Sequence, residues 1–213
     1  MTIFNDGQTN ILPRALRGFG HIKRYWDKGN ETNVAKILPG ELYVTKLDEM
    51  ITTVLGSCIS ACIRDPDKSI GGMNHFMLPV AKDNNLLKSK DSSAARYGNF
   101  AMEHLINEIL KHGGQRENLE VKLFGGGRVL SHMTDIGKRN IEFVLEYINL
   151  EGLTLVSEDL GDLYPRKVQY NPLTGMARMK KLRTMHNQTV AERETAYMKE
   201  IDLTPVESDI ELF

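Results

Sequence analysis

The chain is poor in cysteine, with two thiols, Cys58 and Cys62, among 213 residues. So few exclude a disulfide framework and a cysteine-built zinc cluster. Nor do the two suit each other, because four residues of extended strand separate their Cα atoms by roughly 13 Å, beyond disulfide reach. A reducing compartment fits them. Excess charge is also missing: 27 Lys and Arg stand against 28 Asp and Glu, which leaves no field for nucleic acid or an anionic membrane. No apolar run approaches the roughly 20 residues of a membrane span, and the polar stretch Met1 to Asn10 lacks the charged start and apolar core of a signal peptide. The expectation is a cytoplasmic protein with no nucleic-acid partner and no direct membrane insertion. His104 and His112 carry no His-Glu-x-x-His spacing, and Gly125-Gly126-Gly127 lacks the Lys-Ser/Thr end of a phosphate loop. No metal and no cofactor are therefore expected, and the glycines read as close backbone packing near a site.

What is present suits one globular domain, since 41% of the residues are hydrophobic. The expected division is an N-terminal extension over 1–35, a domain over 36–183, and a C-terminal helix and flexible tail over 184–213. The extension mixes basic and large apolar residues. It reads either as a strap over its own domain or as a docking surface through Arg14, Arg17, Lys23 and Arg24. Within the domain, Glu41 to Thr45 alternates as a half-buried strand, and Met50 to Leu55 forms another. A polar loop over Asp83 to Ser93 precedes a helix capped by Ser92 or Ser93 and running to Lys111. Its stripe is Ala94, Tyr97, Ala101, Leu105 and Ile109, and Gly113-Gly114 ends it. Strand Leu119 to Phe124, helix Asp135 to Glu151 and strand Leu153 to Val156 read as a βαβ crossover, with Ile136, Phe143, Tyr147 and Leu150 toward the core. A closing hairpin runs from Arg166 to Leu182. Its Arg166, Lys167, Arg178, Lys180, Lys181 and Arg183 form either a surface for acidic segments or a solvated face. Val190 to Ile201 reads as a short exposed helix. The fold class is α+β.

The most informative stretch is Thr52 to Pro79. Two apolar runs, Ile59 to Ile63 and Ile70 to Leu78, flank Asp65-Pro66-Asp67-Lys68, a tetrapeptide with turn chemistry. Antiparallel pairing around that turn sets Asp65 opposite Lys68, Ile63 opposite Ile70, and Cys58 opposite His75. Directly opposed side chains have Cβ atoms roughly 4.5 to 5.5 Å apart, which suits a thiol and an imidazole. A bulge at Gly71-Gly72 would slip this register by one. Such a pair serves nucleophilic attack on a carbonyl, since the thiolate is the reactive form and an imidazole draws the proton from it. Gly56-Ser57 ahead of Cys58 permits a sharp turn whose amides point at a developing oxyanion. The alternative is that Cys58 and His75 are ordinary half-buried strand residues.

The string Thr-Val-Leu-Gly-Ser-Cys, then Asp-Pro, then Gly-Gly-Met-Asn-His-Phe-Met-Leu-Pro resembles the signature of the CheD family, the chemoreceptor glutamine deamidases of bacterial chemotaxis. The likeness continues in Leu38-Pro39-Gly40-Glu41, Arg96-Tyr97-Gly98, Leu123-Phe124-Gly125-Gly126-Gly127, Arg166-Lys167-Val168 and Thr174-Gly175, and so spans about 36–182. The resemblance implies layered mixed β-sheets with helices packed outside, similar to the catalytic core of the deamidating cytotoxic necrotizing factors. It implies Cys58 as nucleophile, His75 as base and Thr52 as the residue orienting the imidazole; the Gly56-Ser57-Cys58 turn alone suggests the backbone amides there for the oxyanion. Thr52 meets the others only if the chain turns at Gly56, and Thr53 competes for its role. The implied enzyme is a protein-glutamine glutaminase acting on the cytoplasmic helices of methyl-accepting chemotaxis proteins, with a CheC-type phosphatase as a further partner. Two rivals stand beside it: another Cys-His amidase or peptidase, and a non-catalytic adaptor for receptors or for such a phosphatase.

Overall fold

The structure is a computed structural model that describes residues 12–79, 93–129, 136–183 and 187–203. The polar loop expected over Asp83 to Ser93 and the tail beyond residue 203 lie almost wholly outside the described residues. Among the described residues, ten strands and three α-helices follow one another as β1 (Lys23–Asp27), β2 (Thr32–Lys36), β3 (Leu42–Thr45), β4 (Glu49–Leu55), β5 (Ile59–Asp65), β6 (Ile70–Asn74), α1 (Ser93–Lys111), β7 (Glu120–Gly125), α2 (Ile136–Leu150), β8 (Thr154–Leu160), β9 (Arg166–Tyr170), β10 (Ala177–Lys181) and α3 (Asn187–Leu203).

They build two five-stranded mixed sheets, ordered β1-β2-β4-β9-β10 and β3-β6-β5-β7-β8. Most pairs are antiparallel. The parallel pairs are β2 with β4, and β7 with β8, the second being the crossover over α2. Helices α1 and α2 pack on the second sheet, α1 against β3, β5 and β6, α2 against β5 and β8. Every residue of β6, and all of β5 but Arg64, is buried, as strands covered on both faces must be. One core joins the sheets, with Ile51, Leu55, Val168 and Tyr170 from the first and Ile59, Ile63, Val121 and Leu123 from the second. A buried carboxylate ties them further. Glu49 on β4 takes hydrogen bonds from Tyr43 at 2.7 Å and Thr45 at 2.6 Å on β3, and pairs with Arg24 of β1 at 2.7 Å.

Several expectations change here. Part of the supposed extension is sheet, since β1 and β2 complete one edge of the first sheet, and Phe19 and Ile22 ahead of them are buried, Phe19 edge-on to Tyr43. Arg24 is engaged with Glu49 and the Pro13 carbonyl, and so is not a free contact for a partner. Arg166 also leaves the proposed basic surface: it is fully buried, paired with Asp159 and donating to the Gly161 carbonyl. Leu150 ends α2 exposed, its inward place taken by Ile148. Helix α3 is docked rather than exposed, with Val190, Glu194, Tyr197, Met198 and Ile201 buried. The α1 stop is as read: Gly113 takes φ 100° and the Gly114 amide bonds back to the Ile109 carbonyl at 3.0 Å.

Candidate active site

The β5-β6 hairpin carries the cysteine and the histidine, but in a register two residues from the expected one. Asp65 pairs with Ile70, Ile63 with Gly72 and Cys62 with Met73, and a further bridge joins Ile59 to Phe76. The cause lies in the turn. Asp65 accepts the Lys68 amide on its side chain at 3.0 Å, and Ser69 takes φ 50°, so the loop holds Pro66 to Ser69 and Asp65 remains in the strand. Gly71 and Gly72 permit close approach of the neighbours rather than a bulge, since a Cβ on Gly72 would lie 2.4 Å from the Tyr43 carbonyl. A shift of two preserves the face of every side chain. Carried one residue past β5, the register sets Cys58 opposite Met77 and diagonal to His75, a position at which the Cα atoms of a regular ladder stand roughly 7 to 8 Å apart, and no hydrogen bond joins the thiol to Nε2.

His75 is gripped on its backbone by the segment before β3, its amide bonded to the Glu41 carbonyl at 3.0 Å and its carbonyl receiving the Gly40 amide at 2.8 Å. Its Nδ1 lies 2.8 Å from the Thr53 hydroxyl, which also bonds the Ile37 carbonyl at 3.0 Å. A carbonyl only accepts, so the hydroxyl donates to Ile37 and accepts from Nδ1–H. That choice of tautomer leaves Nε2 with its lone pair. Nε2 is buried and has no hydrogen-bond partner among the described residues. Burial pushes the imidazole pKa down to about 3, so the ring is neutral. Thr52 is not the residue against the ring. Successive residues of β4 point to opposite faces, and the Thr52 hydroxyl donates instead to the Val168 carbonyl on β9 at 2.9 Å.

The loop from Gly56 to Cys58 is held from behind by its three carbonyls. Gly56 receives the Gly127 amide at 2.7 Å, Ser57 the Asn140 side-chain amide at 2.8 Å, and Cys58 the Gly126 amide at 2.9 Å. The glycines at 125–127 are thus the packing surface of the Cys58 loop, for a Cβ on Gly125 would meet the Cys58 carbonyl at 2.0 Å. Asn140 also accepts the Leu78 amide at 2.9 Å and so couples the loop to the segment after His75. With its carbonyls tied back, the loop turns three amides forward. They converge on one carboxylate, that of Glu194 on α3, from Gly56 at 2.8 Å, Ser57 at 2.8 Å and Cys58 at 3.2 Å, and the Ser57 hydroxyl adds a bond at 2.6 Å. Converging amides of this kind make an anion site.

Cys58 is fully buried, and desolvation, then the Glu194 charge beside it, push its thiol well up. Cys62 is likewise buried, unpaired and pushed up by burial, a core thiol. Among the described residues no cluster of His, Cys, Asp and Glu is arranged to hold a metal ion. No described helix is long and apolar enough to cross a membrane. Two contributors escaped the sequence reading, Asn140 and Glu194, while Thr53, the competitor of Thr52 there, is the imidazole's partner. The signal for Asn140 was a polar residue on the apolar stripe Ile136, Val144, Tyr147 and Ile148 of α2.

The family profile described as CheD chemotactic sensory transduction matches residues 77–181. Among curated proteins, "Probable chemoreceptor glutamine deamidase CheD" of Halorhodospira halophila is 58% identical over 211 residues, 98% of this chain and 97% of its own. The protein of the same name from Hydrogenovibrio crunogenus is 57% identical over 178 residues, 84% of this chain and 93% of its own. That of Hahella chejuensis is 50% identical over 201 residues, 94% and 95% of the two chains.

Proposed function

The chain belongs to the CheD family, and on that basis we propose that it is a chemoreceptor glutamine deamidase, hydrolysing the side-chain amide of specific receptor glutamines to glutamate and ammonia. The observation that carries the chemistry is the union, on one loop and hairpin, of a thiol, an imidazole whose Nε2 has no partner among the described residues, and three amides aimed at one carboxylate, Gly56 and Cys58 at one oxygen and Ser57 at the other. His75 Nε2 takes the Cys58 proton, and the thiolate attacks the carboxamide carbon. The oxyanion takes the amides of Gly56, Ser57 and Cys58. His75 returns the proton to nitrogen, the C–N bond breaks, ammonia leaves, and a thioester remains on Cys58. A water then gives its proton to Nε2 and adds to the thioester, the C–S bond breaks, and glutamate departs as the thiol is restored. Thr53 is a positioning residue that keeps the Nε2 lone pair free to accept a proton, the part the third member of a triad plays elsewhere. No step calls for a metal or cofactor.

The substrate belongs to the same proposal: glutamines on the cytoplasmic helices of methyl-accepting chemotaxis proteins, met in the cytoplasm, with a CheC-type phosphatase as a regulatory partner. So does the finer likeness of the core to the cytotoxic necrotizing factors, which the family resemblance implies. The relatives' names favour a deamidase over a peptidase or an adaptor. The test is ammonia release from a purified receptor cytoplasmic fragment, with peptide mapping for the gain of about one mass unit per converted glutamine. Conversion at discrete glutamines is expected. Cleavage of the backbone, or binding without ammonia, would overturn the reading.

A further inference from the structure

Glu194 is the least comfortable residue of the fold. Its side chain is 2% exposed and carries a charge with no cationic partner at salt-bridge distance among the described residues. A buried unpaired carboxylate is costly even when hydrogen-bonded. What holds it is the set of amides proposed above for the oxyanion, together with the Ser57 hydroxyl. It fills the space beside Gly56 closely, since a Cβ there would lie 2.7 Å from Oε2. A glutamate side chain is also the product of the reaction, identical in length and differing from the substrate by one amide nitrogen.

The carboxylate arrives on a helix whose inward face is otherwise apolar. Val190, Tyr197, Met198 and Ile201 lie four residues before and three, four and seven after Glu194, all buried. Tyr197 anchors the far side, its hydroxyl bonded to that of Tyr97 on α1 and its ring 3.1 Å from the place of a Cβ on Gly40. Gly40 is the residue whose amide holds the His75 carbonyl. The helix therefore spans both halves of the site.

We propose that α3 is a built-in product mimic: it occupies the seat of the substrate's glutamine-bearing helix, with Glu194 in the oxyanion cradle, and must leave before a receptor helix can bind. The proposal rests on the deamidase reading for the identity of the displaced substrate, but the occlusion itself does not depend on it. While α3 is seated the cradle is filled, and burial together with the carboxylate keeps Cys58 protonated. The same contacts describe the substrate. It is a helix that inserts one glutamine and sets apolar residues four before and three, four and seven after it. The half-buried Ala191 and Thr195 beside Glu194 show that the closest flanking positions take small side chains.

The test uses the full-length chain and its Glu194→Ala, Tyr197→Ala and Glu194→Gln variants, each checked for a cooperative melt. Iodoacetamide labelling of Cys58, located by peptide mapping with Cys62 as the buried control, should quicken at least about tenfold in Glu194→Ala and in Tyr197→Ala as the local opening becomes easier. Receptor deamidation should quicken with it. Glu194→Gln places an amide in the cradle and should gain about one mass unit at that position, a gain removed by Cys58→Ala. Unchanged labelling in both alanine variants, in folded protein, would overturn the occlusion. Faster labelling with no conversion of either the receptor or Glu194→Gln would retain the occlusion and overturn the deamidase reading instead.

Discussion

At the scale of single residues, the hydroxyl of Thr53 has an effect that can be separated from its neighbour's. It fixes the imidazole tautomer, whereas Thr52, one residue earlier, bonds only the adjacent strand. Thr53→Val should lower kcat roughly tenfold to a hundredfold, the worth of a buried hydrogen bond lost near the reacting atoms. KM should hardly change. Thr52→Val should retain most of the rate, and steady-state ammonia release on the two variants checks the contrast. His75 adds a pH signature. Burial takes its pKa from 6.5 down to about 3 in the folded chain, so between those values the unfolded chain binds a proton that the folded one does not. Stability from this group is complete above about pH 6.5 and falls as the pH is lowered toward about 3. Urea unfolding at about pH 7 and about pH 5 should show a smaller loss in His75→Gln than in the parent.

At the scale of elements, the Cys58 loop depends on α2 through one side chain. Asn140 bonds both the Ser57 carbonyl and the Leu78 amide. Asn140→Ala should cost about 2 to 4 kcal/mol of stability, two buried polar groups at roughly 1 to 2 each, and should lower activity further by freeing the amide cradle. Denaturant midpoints and rates measured together would test this. Elements with one clear period were readable in the sequence, as the 3.6-residue stripe of α1 and the stop at Gly113-Gly114 were; the strand read over 41–45 is present as β3, but Tyr43, Val44 and Thr45 are buried in succession rather than alternately. The hairpin's turn was readable in place but not in length, since the Asp65 side-chain bond and the left-handed Ser69 are local geometry rather than composition. Thr52 was favoured over Thr53 by resemblance, and only the observed bond separates two adjacent threonines. Helix α3 looked exposed because the composition turns polar from Thr184 onward, and Glu194 breaks the apolar face that is in fact buried. That break was the trace of the cradle opposite it, which no pattern within α3 records.

At the scale of the whole molecule, the site lies where the two sheets meet, and the polar cluster around Glu49 holds their relative placement. Arg24, Tyr43 and Thr45 come from β1 and β3 to a residue of β4 that is fully buried. Glu49→Gln leaves the Arg24 charge without its partner and should cost about 3 to 5 kcal/mol, as breaking buried pairs does. Equilibrium unfolding by urea checks the size. The central claim, however, is that both sheets exist to bring Cys58, His75 and three amides to one amide substrate. Its most direct test is mass mapping of a receptor cytoplasmic fragment after incubation with the parent, Cys58→Ala and His75→Ala chains. The account predicts glutamine converted to glutamate by the parent and by neither variant. Conversion that persists without the Cys58 thiol would contradict it.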